Sequence, residues 1–151
     1  MKTVYLAGAI TGRTNAECVD WRAHAKQLLK CPTIDPIVKD YRGREREEFV
    51  AIVKKDKTDI DACDILLGNY SEPSVETSME VLYAWEQGLI VVLVASSSHD
   101  LSPWLLCHHH KLCFSLEDAA SYINRRLLRE SHSKEPHESF IDAGKMICQR
   151  N

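Results

Sequence analysis

No long hydrophobic run, no excess of one charge and no glycine-rich phosphate loop occur in this sequence of 151 residues. The longest unbroken apolar stretch, Leu89 to Ala95, is seven residues, where a membrane helix needs about twenty. Glycine (6) and proline (5) are scarce, which excludes collagen-like and low-complexity chains. Nineteen basic residues against 22 acidic ones leave a net charge of −3. A dedicated nucleic-acid binder would need a basic face instead. The first residues carry one lysine and an apolar stretch broken at Thr11, without the shape of an export signal. The six cysteines (18, 31, 63, 107, 113, 148) lack framework spacing, so they read as reduced thiols in a cytoplasmic protein.

What is present is an alternation of short apolar runs and helical stripes. Strands are expected at 2–7, 32–35, 64–68, 89–95 and 112–114, and helices at 16–30, 45–62, 75–87 and 116–129. Within 45–62, Phe49, Ile52, Val53, Asp56 and Ile60 fall on one line. The unbroken run 89–95 has the character of a central parallel strand, buried on both faces. The pattern predicts an α/β fold: a flavodoxin-like, doubly wound, open parallel sheet of five strands in the order 2-1-3-4-5, with helices on both faces. Residues 1–129 form the expected domain. A polar linker and a short tail come after it at 130–151, with a docking helix at 140–148. Ligands of such sheets bind beyond the carboxyl ends of the strands, so the loops after residues 7, 35, 68 and 95 matter most.

Several motifs have ordinary structural readings beside functional ones. Gly8 and Gly12 follow the first strand, but a dinucleotide fingerprint needs a third glycine, and no Walker pattern occurs. Asp35 ends the second strand, where such folds keep a ribose-binding acid. Asp56 lies on the apolar line of its helix, where a carboxylate is costly to bury; it is either a boundary acid with a partner or a functional one. Glu80 sits near the start of a helix facing the crevice, where the helix dipole alone favours an acid. The hydroxyls of Ser71, Ser74, Thr77 and Ser78 beside it suit an anion or a sugar. Cys107 and Cys113 flank three histidines, but no second pair completes a zinc site, so no metal is expected.

Four stretches in order, YLAGAITG (5–12), TIDP (33–36), DKTDIDACDILLGNY (56–70) and PSVETSMEVLYAWEQG (73–88), resemble the nucleoside 2-deoxyribosyltransferase family, which includes the related nucleoside 5′-monophosphate N-glycosidases. The resemblance covers roughly residues 1–125. It implies cleavage of an N-glycosidic bond through a glycosyl ester on Glu80, with transfer of deoxyribose to another base. Asp56 then matches the acid that contacts the base, and Tyr5 the tyrosine that orients the nucleophile. Gly8, Asp35, Asn69, Ser74 and Thr77 fall at substrate-binding positions. No cofactor is implied; the partners are a nucleoside or nucleotide and an acceptor base or water, in a homodimer or larger homo-oligomer.

Three departures bear on the substrate. Glu76 stands where the family has glycine, and Leu82 replaces a glycine two residues after the nucleophile. Ser74 stands where deoxyribosyltransferases carry aspartate, which resembles the 5′-monophosphate N-glycosidases. Ala9 and Thr11, however, do not match the serine and arginine that assist phosphate binding in those hydrolases. Arg13 and Arg42 are the candidate substitutes. On these residues the nucleoside is the expected substrate, with its 5′-hydroxyl bonded by Ser74. The alternatives are a 5′-monophosphate N-glycosidase using water and a non-catalytic nucleotide-sensing module. For proton transfer, Asp56 is expected to be the neutral acid and Glu80 the ionised nucleophile. Trp85 beside Leu82 and Tyr83 widens an apolar stripe and suggests the subunit contact.

Overall fold

The computed structural model describes residues 2–132; the sequence-predicted tail helix at 140–148 lies outside them. Along the chain run β1 (Val4–Gly8), α1 (Asn15–Leu28), β2 (Thr33–Ile34), a 3₁₀ turn (Pro36–Val38), α2 (Glu45–Asp61), β3 (Ile65–Asn69), α3 (Val75–Glu86), β4 (Ile90–Val94), a second 3₁₀ turn (Ser98–Asp100), α4 (Pro103–Cys107), β5 (Lys111–Cys113) and α5 (Leu116–His132). The five strands form one parallel sheet in the order β2-β1-β3-β4-β5, the flavodoxin-like arrangement. No helix among the described residues is long and apolar enough to cross a membrane.

The period of two along β1 assigns its side chains to two cores. Val4 and Leu6 join Ala25, Leu29, Ile65, Leu67, Ala119 and Ile123 beneath α1 and α5. Tyr5 and Ala7 join Ile60, Leu66, Val81, Ala84, Leu93 and Leu105 beneath α2, α3 and α4. Local chemistry starts the helices. Thr14 and Glu17 form a capping box at α1, and Ser74 caps α3 by accepting from the Thr77 N–H. The Asn124 side chain bonds both Leu28 O and Lys30 N, clipping the end of α1 to α5.

Three expectations need correction. Helix α4 lies where the sequence suggests only a loop, although Ser102 and Pro103 form an N-cap and first-turn proline signal. Helix α5 extends three residues beyond 129, to His132. On α2 the anticipated apolar line does not face the core: Phe49 and Val53 are 62% and 53% exposed, and Ile60 alone of the helix is buried.

Candidate active site

The chain moves from β1 outward to β2 and returns to place β3 on the other side of β1, so a crevice opens beyond the β1 and β3 ends. It forms an open cavity of about 70 Å³. The end of β1 and its loop contribute Gly8, Ile10 and Thr11; the segment after β2 contributes Pro36, Ile37 and Lys39 to Arg42; α2 contributes Glu45, Ile52 and Asp56; α3 contributes Glu76 and Glu80.

Tyr5 lies beneath this cavity, fully buried in β1. Its hydroxyl donates to Glu80 Oε1 at 2.7 Å. Burial and the neighbouring carboxylates of Glu80 and Asp56 hold the phenol far above its ordinary pKa, so Tyr5 remains a neutral donor. Half-buried Glu80 is raised to about 8, chiefly by desolvation; the Tyr5 bond opposes the shift, and the charge of Asp56 adds to it. Asp56 is raised to about 6, first by desolvation and then by Asp59. Burial thus raises both carboxyls and opposes the ionised Glu80 of the sequence expectation.

The remaining sequence-predicted residues do not converge on Glu80. Gly8 does line the cavity, but its lack of a side chain serves packing, because a Cβ there would lie 2.5 Å from Trp21 Cζ2. Asp35 is buried behind the site. Its Oδ1 stands 3.2 Å from Arg22 Nε and accepts from Ile37 N, and its Oδ2 stands 2.5 Å from Lys26 Nζ. Arg22, itself 1% exposed, donates to Cys18 O and Gly8 O, so this ion pair ties Asp35 to the loop after β1. Asn69 closes a local turn by accepting from Ser71 N and lines a separate depression with Arg13 and Glu72. Ser74 and Thr77 are buried in the cap of α3.

Of the two candidate phosphate cations, Arg13 faces Glu17 at 3.9 Å and Glu72 at 3.7 Å. Arg42 lines the cavity but clamps Asp40, with Nη2 to Oδ2 at 2.6 Å, and also donates to Asn15. Arg42 in turn holds the Asp40 carboxyl down at about 2. The sequence marks the loop after residue 35 as a crevice segment, with Arg42 in it, and the cavity wall runs along that loop from Pro36 to Arg42. The histidine run is structural. His108 stacks on Trp104 and meets Trp85 edge-on, while His110 Nδ1 accepts from Val91 N. Trp85 packs against His108 and His110.

No family model matches the sequence, and no curated protein matches it. Solved structures do match. A 2-desoxiribosyltransferase from Leishmania mexicana aligns with a TM-score of 0.63 and 18% identity, covering 83% of this chain and 98% of that one. A 2-deoxyribosyltransferase from Bacillus psychrosaccharolyticus gives 0.64 and 17%, over 80% and 91%. The CMP N-glycosidase BcmB of Clostridium botulinum gives 0.54 and 14%, over 83% and 99%. The chain is thus structurally similar to nucleoside deoxyribosyltransferases and to a nucleotide N-glycosidase. At these identities the likeness is one of fold, and it agrees with the resemblance read from the sequence.

Proposed function

We propose that this protein cleaves the N-glycosidic bond of nucleosides and passes the deoxyribosyl group to another base. The observation that carries the reading is the 2.7 Å bond from buried Tyr5 to Glu80 at a cavity that Asp56 also lines. A carboxylate below C1′ and a second carboxyl beside the base are the two groups this bond cleavage needs. Glu80 attacks C1′ to form a glycosyl ester as the C1′–N bond breaks, and Asp56 gives its proton to the departing nitrogen. In the return step the acceptor base loses a proton to Asp56, its nitrogen bonds to C1′, and the Glu80 carboxylate is released. Neither step calls for a redox cofactor or metal.

The proton arrangement sets the operating form. The pair together holds one proton between about pH 6 and pH 8. The reactive arrangement is the tautomer with Glu80 ionised and Asp56 neutral. Tyr5 stabilises that tautomer by donating to Glu80. A 5′-monophosphate N-glycosidase using water is the second reading, favoured by the start of α3 at the cavity and by the fold likeness to the CMP N-glycosidase.

Exposed apolar side chains on α2 (Phe49, Val50, Val53) and α3 (Val75, Met79) support a homodimer formed through these helices. The five free cysteines among the described residues fit a cytoplasmic site of action. The test is incubation of the protein with a panel of nucleosides and monophosphates, with and without a second base, and chromatography of the products. Base exchange supports transfer, base release alone supports hydrolysis, and ligand binding without turnover sinks the enzymatic reading in favour of a sensing module.

A further inference from the structure

The cavity contains an acid that the mechanism does not use. Helix α3 starts at the site, and a helix start with free N–H groups ordinarily attracts an anion. This one is supplied with an anion from its own first turn. Glu76 lines the cavity with Glu80, four residues away on the same helix face, a spacing of ~6 Å along the axis. Ser74 is 8% exposed; its oxygen accepts from Thr77 N and from the Thr77 hydroxyl, and its own proton goes to Glu76 Oε2 at 3.1 Å. Ser74 therefore has no proton to give a ligand. Its hydroxyl orients Glu76 instead.

Neither nearby arginine offsets this acid. Arg42 is clamped on Asp40, and Arg13 lies in the neighbouring depression against Glu17 and Glu72. Lys39 lines the cavity with its ammonium 4.8 Å from the Tyr41 ring centroid. A phosphate arriving here would meet a carboxylate at the place where the fold usually offers N–H groups. At the effective dielectric of a protein surface, two like charges about 5 Å apart repel strongly enough to change relative affinity by tenfold or more.

Resting on the reading of this cavity as an N-glycoside site, we propose that Glu76 determines specificity at the 5′ end of the sugar: it accepts a hydrogen bond from a free 5′-hydroxyl and repels a 5′-phosphate. With C1′ over Glu80 and the base toward Asp56 on α2, the α3 wall at Glu76 is left for the 5′ side. One turn of helix matches the span of a furanose and its 5′ substituent.

The test compares kcat/KM for a 2′-deoxynucleoside and its 5′-monophosphate in the wild type, Glu76→Gln, Glu76→Ala and the charge-conserving Glu76→Asp. The side chain is exposed on one side, so the variants should fold, which a thermal melt verifies. The wild type is expected to prefer the nucleoside by tenfold or more. Glu76→Gln and Glu76→Ala should cut that preference at least tenfold, mainly through a lower KM for the monophosphate, and Glu76→Asp should retain it. Inorganic phosphate should inhibit the neutral variants more strongly than the wild type. Nucleoside cleavage with an unchanged ratio in both neutral variants, or a wild type that prefers the monophosphate, overturns the role of Glu76 while leaving N-glycoside cleavage intact. Cleavage of neither substrate by the wild type overturns the reading of the cavity and this proposal with it.

Discussion

Replacing Asp56 by asparagine removes the proposed proton donor at nearly constant shape, and the consequences can be worked out from the two carboxyls. In the wild type, kcat/KM for a deoxynucleoside should be bell-shaped in pH, with limbs at about 6 and about 8 and a maximum at pH ~7. The low limb is the uptake of a second proton by the pair, and the high limb is loss of the only one. In Asp56→Asn no proton is delivered, so kcat/KM should fall by roughly 10²- to 10⁴-fold. The high-pH limb should disappear, and the residual rate should rise to a plateau as Glu80 ionises. That single pKa should lie below about 8, since the Asp56 charge that raises Glu80 is gone. A nucleoside whose base leaves without needing a proton, such as a 7-alkylated purine, should be much less affected. Release of base, monitored by absorbance from pH 5 to 9.5, provides the assay. An unchanged bell in Asp56→Asn, or an equal loss with the alkylated substrate, would refute the assignment of Asp56 as acid.

The same burial makes a stability prediction. Glu80 and Asp56 have folded pKa values raised above their ordinary 4.5 and 3.8, so their contribution is fully present at low pH and is lost as pH rises through about 6 and then about 8. Glu80→Gln should therefore raise stability at pH 9 by on the order of 3–5 kcal/mol and flatten the fall of Tm between pH 5 and 9; a slope equal to wild type would show that Glu80 is not held neutral by the fold. Asp35→Asn should leave Arg22 as a buried cation facing no full negative charge and lower stability by about 3 kcal/mol or more, as read by urea unfolding. An unchanged unfolding midpoint with a raised KM would instead return Asp35 to substrate binding. Light scattering at micromolar concentration should give a dimer, and Phe49→Glu with Val53→Glu should give a monomer; a monomeric, fully active wild type would contradict assembly through α2 and α3.

Much of the sheet was legible because its signals are strong and local. The run 89–95 became the central strand β4, paired with β3 and β5, since a stretch without polar residues has no solvent side. Tyr5, Asp56 and Glu80 were each readable at a crevice position, and the fold brings them to one cavity. The short polar residues were less legible for a physical reason: Ser74, Thr77, Asn69 and Asp35 stand at element ends, where capping and turn closure compete with ligands for the same atoms. A one-dimensional pattern records their position but not which partner holds them. The apolar line expected on α2 failed similarly. Helical periodicity placed Phe49 and Val53 around Asp56, but it could not show that α2 turns them to solvent. The wall at 36–42 is loop, so no periodicity marks it.

The central claim is that Glu80 carries the sugar during turnover, and rapid quenching tests it most directly. The wild type is mixed with a 2′-deoxynucleoside without acceptor base, quenched in acid within the first turnovers, digested and analysed by mass spectrometry. The account predicts a deoxyribosyl ester on the peptide containing Glu80, discharged when a second base is added, and neither adduct nor base release in Glu80→Gln. Base release by the wild type with no adduct on that peptide, together with near-normal turnover in Glu80→Gln, would contradict it.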